Sequence, residues 1–145
     1  MSYTTVETAI LTVIRTHADF DTTNCLAGEA SAIKKGLARV LRVLKGSHRQ
    51  EAITIGAYKH VWSVNLDCYV PWRSDIATLE ASLATETQKV IDTIEQYPSL
   101  NSATGVTNAE ITNANQAEPL GSAKGGYRGQ RLFLEVTEVT TPTRA

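Results

Sequence analysis

Three histidines, two cysteines and a short run of alternating acids are the side chains in this 145-residue sequence with the clearest potential for chemistry. Their spacing builds no familiar site. His17, His48 and His60 form no His-x-x-x-His pair and have no Cys at a zinc-ligand spacing. His60 opens an apolar face and reads as a hydrogen-bonded imidazole at a sheet edge. Asp19, Asp21 and Thr23 alternate like the start of a calcium loop, but Asn24 stands where that loop needs Gly and Ala30 where it needs Glu. No metal is expected. Cys25 and Cys68 lie far apart, without basic neighbours in sequence to activate a thiolate, and read as two reduced, structural thiols.

The search for a nucleophile or a phosphate cradle ends the same way. There is no Gly-x-Ser-x-Gly elbow, and Ser47-His48 is mere adjacency. Gly121-Ser122-Ala123-Lys124-Gly125-Gly126 resembles a phosphate loop only superficially, because its Lys precedes the glycines and no Ser or Thr follows to reach magnesium. It reads as a flexible surface loop. Within Gly125 to Gly129, Tyr127 could stack on a base while Arg128 meets a phosphate, as in single-strand binders. No catalytic residue and no cofactor is expected.

Charge is the more informative signal. The net charge is −1, which argues against a dedicated nucleic-acid binder. Yet Lys34, Lys35, Arg39, Arg42, Lys45 and Arg49 occur within sixteen residues that hold no acid, while Asp75, Glu80, Glu86, Asp92 and Glu95 face only Lys89. The basic run is either a solvated face, a nucleic-acid contact, or a partner for the acidic segment, within one molecule or between neighbours.

The elements that must carry these residues fit one domain over residues 1–140, with a short polar tail at 141–145. A chain of this length buries roughly two-thirds of its unfolded surface, so its core needs no disulfide. Hydrophobic residues make up 42% and charged residues 20%, the balance of a globular protein. No signal peptide and no membrane-spanning run is seen, so a reducing cytoplasm is the expected place of synthesis.

Thr4 and Glu7 have capping-box spacing, and apolar residues at helical intervals predict a helix to about Ala18. Residues 31–45 fit either helix or strand, and a strand from Ala38 to Leu44 is favoured because Gly36 interrupts the helical pattern. Glu51 to Ile55 reads as a short strand or extended arm. His60, Trp62, Val64, Leu66, Cys68 and Val70 alternate with more polar residues and predict a half-buried strand ended by Pro71. Ser74 is the expected N-cap of a helix to Gln96, whose stripe is Ile76, Leu79, Leu83, Val90, Ile91, Ile94 and Tyr97. Val106 to Thr112 reads as a polar edge strand, Asn113 to Gly129 as a loop, and Gln130 to Thr140 as the last strand. The class is α+β: a mixed or antiparallel sheet of four to five strands, covered on one face by the long helix, with an additional N-terminal helix.

This layout, from the capped first helix through the basic strand ending at Gly46-Ser47, the strand His60 to Tyr69, the helix with its exit Tyr97-Pro98-Ser99-Leu100-Asn101 and the closing strands, resembles the tail terminator or tail-completion proteins of long-tailed bacteriophages. The resemblance implies a structural virion protein, not an enzyme. It implies a homo-hexameric ring that caps the tail tube, ends tube polymerisation and offers a joining surface to the head-side connector, with DNA passing through its lumen. Lys34, Lys35, Arg39, Arg42, Lys45 and Arg49 are then candidates for the lumen or the subunit interface. Glu51, Ile53, Tyr58, Lys124, Tyr127 and Arg128, on or directly beside the loops Gly46 to Ala57 and Asn113 to Gly129, are candidates for contacts with neighbouring rings. Another head-tail neck ring, or a small nucleic-acid-binding protein, remains the alternative.

Overall fold

The computed structural model describes residues 3–28, 37–54, 56–72, 74–100, 105–120 and 126–140, with the backbone alone for 118–120. Helix α1 (Tyr3–Ile14) is followed by β1 (Cys25–Ala27), β2 (Val40–Thr54), β3 (Ala57–Pro71), α2 (Ile76–Gln96), β4 (Val106–Leu120) and β5 (Tyr127–Thr140). The strands form one sheet in the order β1-β2-β3-β5-β4. Only β1 and β2 run parallel, and every other pair is antiparallel, so the sheet is mixed. The α+β expectation holds.

The alternation along β3 sets the layers. Trp62, Val64, Leu66 and Cys68 join Leu41 and Val43 of β2 and Leu132, Leu134 and Val136 of β5 in one apolar cluster, which α1 closes with Val6, Ile10, Val13 and Ile14, and α2 with Val90 and Ile94. The first half of α2 seats Leu79 and Leu83 on Val70. Ile76, placed on the stripe by its spacing, is 64% exposed because it opens the helix beyond the sheet's reach. The cap is Asp75, one residue later than expected. Its carboxylate accepts from the N–H groups of Ala77 and Thr78 and from the Thr78 hydroxyl, three donors where a serine oxygen would meet fewer.

Several boundaries move. Helix α1 ends at Ile14, not near Ala18, and the turns that follow lead into β1, a strand too short for periodicity to reveal. Thr4 lies within the helix, where its carbonyl accepts the Thr8 hydroxyl. Residues 31–36 fall outside the described part, 37–39 belong to no element, and from Val40, two residues later than the expected Ala38, the chain is strand. The two strands anticipated on either side of Gly46-Ser47 are one. Strand β2 pairs with β3 along nearly its whole length, and Gly46 and Ser47 form a bulge opposite Ser63. The expected loop Gly46 to Ala57 is therefore a hairpin arm. In the same way β4 continues to Leu120 and β5 begins at Tyr127, so Asn113 to Gly129 is mostly paired strand. The short polar residues of 113–117 carry no strand signature of their own, and β5 supplies it by pairing. Strand β4 does lie at the edge, and its register slips at Thr107 and Thr112 interrupt an otherwise open ladder.

The bulge demands its glycine. A Cβ on Gly46 would stand 2.3 Å from the carbonyl oxygen of Ser63, a backbone atom that cannot move aside cheaply. We expect Gly46→Ala to lower stability by about 1–3 kcal/mol, read as a lower denaturation midpoint in urea with an unchanged slope. Ala52→Gly, farther along the same strand, should cost less than about 1 kcal/mol.

Candidate functional site

The basic and acidic segments meet inside one molecule. Arg39, just before β2, places its Nε 2.7 Å from Glu86 Oε2 on α2, and Lys89, one turn along, places Nζ 2.9 Å from Glu86 Oε1 and 2.9 Å from Asp19 Oδ2. The chain of charges thus ties the exit of α1, the start of β2 and the middle of α2. Its hydrogen bond to Lys89 holds the Asp19 carboxyl below the usual range, and the two carboxylates, Asp19 first, hold Lys89 above it. Arg39 is thereby engaged. Arg128 is engaged too: it lies on β5, not on a loop, with Nη2 3.2 Å from Glu80 Oε1 of α2.

A second ionic cluster lies on the sheet face turned away from the helices, because Asp67 alternates with Leu66 and Cys68. Arg42, Asp67 and Arg131 are register partners across β2, β3 and β5. Arg131 donates to both carboxylate oxygens, Nε to Oδ1 at 2.8 Å and Nη2 to Oδ2 at 3.0 Å, and the Tyr69 hydroxyl donates to Oδ2 at 3.3 Å. Asp67 is 1% exposed and Arg42 7%. Burial, then the Asp67 charge, pushes the Tyr69 phenol up to about 12. Its ring lies across Gly129, where an added Cβ would come within 2.4 Å of it. Arg42 is thus part of the buried framework, and the single chain leaves it no face for a lumen.

The hairpin arm carries the exposed candidates. From Ser47 to Thr54 every residue of β2 is exposed. Arg49 and Glu51 pair at 3.2 Å, both side chains more than half exposed, which contributes about 0–1 kcal/mol. Ile53 is 51% exposed, an apolar side chain with no local reason to face water. Tyr58 is half-buried opposite Ala52. Lys45, at the arm's root, holds Nζ 5.6 Å from the centre of the Tyr3 ring. Lys34, Lys35 and Lys124 lie outside the described residues. Tyr127 begins β5 opposite Pro71 and packs with Tyr69, Val40 and Ala117.

Two histidines that look scattered in sequence are in contact on the arm. His48 stands opposite Trp62 and stacks on it with ring centres 3.9 Å apart, while His48 Nε2 is 3.0 Å from His60 Nδ1. His60 is not at a sheet edge: β3 is the middle strand, and His60 Nε2 lies 3.2 Å from Thr140 Oγ1 on β5. The signal was available, since pairing β2 and β3 about the turn at Gly56 brings the two positions onto a diagonal. Dividing β2 at Gly46 concealed it.

The cysteines are inert. Both are buried, and each pairs in register with Leu41 from opposite sides, which sets them two strand spacings apart, about 9–10 Å. That exceeds the reach of a disulfide. Burial pushes the Cys25 thiol up to about 11 and Cys68 further. An open groove of about 380 Å³ lies between α2 and the β4–β5 end, lined by Glu80, Leu83, Arg128 and Gln130 among others. Arg128 is paired with Glu80 there, and the Thr87 hydroxyl donates to Gln130 at 3.3 Å. Among the described residues no three potential metal ligands gather, and no helix is long and apolar enough to cross a membrane. No family model matches the sequence, and no curated protein matches it either.

Asp67→Asn should cost about 3 kcal/mol or more, because it leaves the arginine guanidinium groups facing one another in a largely buried site. Equilibrium denaturation measures it, and Arg131→Lys should recover little of the bidentate contact. Lys89 gives a pH signature. Its folded value lies above 10.5, so its stabilising contribution is complete below that pH and is lost as pH rises through the folded value. The stability gap between the native chain and Lys89→Met should therefore close above pH 10.5, a difference in which other groups titrating at high pH cancel.

Proposed function

We propose that this chain is a ring-forming structural protein of a long-tailed bacteriophage, of the tail-terminator type. It assembles in the host cytoplasm and resides in the virion between tail tube and head-side connector. The observation that carries the reading is the arm formed by the distal halves of β2 and β3. Its β2 strand extends past the apolar cluster, is exposed at every residue from Ser47 to Thr54 and presents Ile53 at 51% exposure, while its β3 strand stays paired with β5 as far as Tyr58. A strand that gives no side chain to the core and has a neighbour on one side only is a surface on which another chain can lie or pair. Repetition around a ring multiplies such contacts at high effective concentration.

In this mechanism the sheet and helices form a rigid wedge, held by the Asp67 and Glu86 clusters, and the arm reaches a neighbouring subunit or ring. The ring seats one face on the tube and offers the connector a different one, so growth stops there. DNA passes without sequence specificity. With Arg39 and Arg42 engaged in the framework, Lys45 and Arg49 are the described members of the basic run left at the surface for the lumen or the subunit interface.

Light scattering on purified protein, alone and with polymerised tube protein of the same phage, tests the reading. A species near six times 15.7 kDa and decoration of tube ends in electron micrographs are expected. Ile53→Asp should abolish both while leaving the unfolding midpoint unchanged, because the side chain is outside the core. A chain that stays monomeric with and without tubes, and never marks their ends, would overturn it.

A further inference from the structure

The contact between His48 and His60 has no part in the role proposed above, and it is built like half of a coordination sphere. The two rings are within 10° of parallel, yet their centres are 5.2 Å apart and Nε2 of one is 3.0 Å from Nδ1 of the other. Rings stacked face to face cannot show both values together, so these meet edge to edge. The two ring nitrogens face each other almost along the line of centres and share an N–H···N hydrogen bond.

To share an ion across this gap the two lone pairs must meet at an angle, which a turn of His48 supplies with little change in the separation of the nitrogens. Two imidazole nitrogens, each about 2.1 Å from a shared ion, are about 3.0 Å apart at a right angle and about 3.4 Å apart at the tetrahedral angle. The surroundings fix the rest. With its proton on Nε2, donated to Thr140 Oγ1 at 3.2 Å, His60 presents the lone pair of Nδ1 to the gap. This is the outer support that metal-bound histidines ordinarily have. His48 rests on Trp62, with ring centres 3.9 Å apart, and a turn on that surface gives up its hydrogen bond to His60 for the ion. His48 is exposed and His60 half-buried, so solvent reaches the gap directly.

We propose that His48 and His60 form a two-histidine site for a divalent transition-metal ion, with water in the remaining coordination positions. Imidazole donors suit zinc, nickel and copper and do not suit the hard ions calcium and magnesium. The ion takes the place of the proton between the rings. It bridges β2 to β3 beyond the bulge, where β2 gives no side chain to the apolar cluster, and so stabilises the arm by binding the paired form alone. Thr140 is a positioning residue that acts through His60. The site lies within one chain and stands or falls independently of ring formation.

Untagged protein titrated with zinc chloride in a calorimeter, and with copper chloride under tryptophan fluorescence in a Trp72→Phe background, tests the site. Trp72 is at the surface, so its replacement leaves Trp62 as the reporter beneath His48. Saturable binding of one ion per chain and quenching of Trp62 are expected. His48→Ala and His60→Ala should each remove both signals, Thr140→Val should weaken binding about tenfold, and His17→Ala should change nothing. Because His48 is exposed, its variant keeps the fold, which circular dichroism verifies. The absence of saturable binding, survival of binding in the double histidine variant, or an equal response to magnesium would overturn the proposal.

Discussion

Strand β3 is the constraint from which the other elements take their positions. It lies between β2 and β5, so its ladder fixes both neighbours, and through β5 it fixes the edge strand β4. Its two faces ask for opposite things. One presents Trp62, Val64, Leu66 and Cys68 and can be satisfied only by the apolar stripes of α1 and α2. The other buries Asp67, and that carboxylate requires guanidinium groups directly across the ladder. A slip of one residue in either pairing would send the acid into the core and the leucines to the ions.

That dependence explains which parts of the molecule were legible in the sequence. Strand β3 and helix α2 were, because each is long and periodic enough to announce both its type and its buried face. Strands β2 and β4 were only half legible. Their core-facing segments alternate, but residues 47–54 and 113–117 are polar and become strand through hydrogen bonding to β3 and β5, a tertiary effect that composition does not record. The three residues of β1 exist for the same reason. Charge misled in a different way. The basic run from Lys34 to Arg49 looked like a single patch, but Arg39 turns to Glu86, Arg42 is buried in the far face and Lys45 lies against Tyr3.

Magnitudes separate the framework from its trimmings. Each large apolar side chain withdrawn from water is worth about 1.5–3 kcal/mol, and the core holds many, whereas an exposed pair such as Arg49–Glu51 contributes less than about 1 kcal/mol. Hydrophobic burial therefore decides that the chain folds, and the buried ions decide in which register. The β2 strand of the distal arm has neither resource. Its residues from Ser47 to Thr54 are solvated, its ion pair is weak, and its order rests on the backbone ladder to β3 together with the stack of His48 on Trp62. A segment so lightly held is suited to being completed by whatever it touches.

The bulge at Gly46 and Ser47 has a further effect on β2. Before it, the odd-numbered residues Leu41, Val43 and Lys45 share the helix side, whereas beyond it the even-numbered His48, Gln50 and Ala52 do so, since they stand opposite Trp62, His60 and Tyr58. One inserted residue acts as a frameshift in the strand. The sequence is thus read in two phases: the first is addressed to the core, and the second can vary without being proofread by it. Were both residues kept but paired without the bulge, Ser47 would come to lie opposite Trp62 and His48 opposite Val61, and the two histidines would part to opposite faces, whereas loss of one of the two would leave His48 over Trp62.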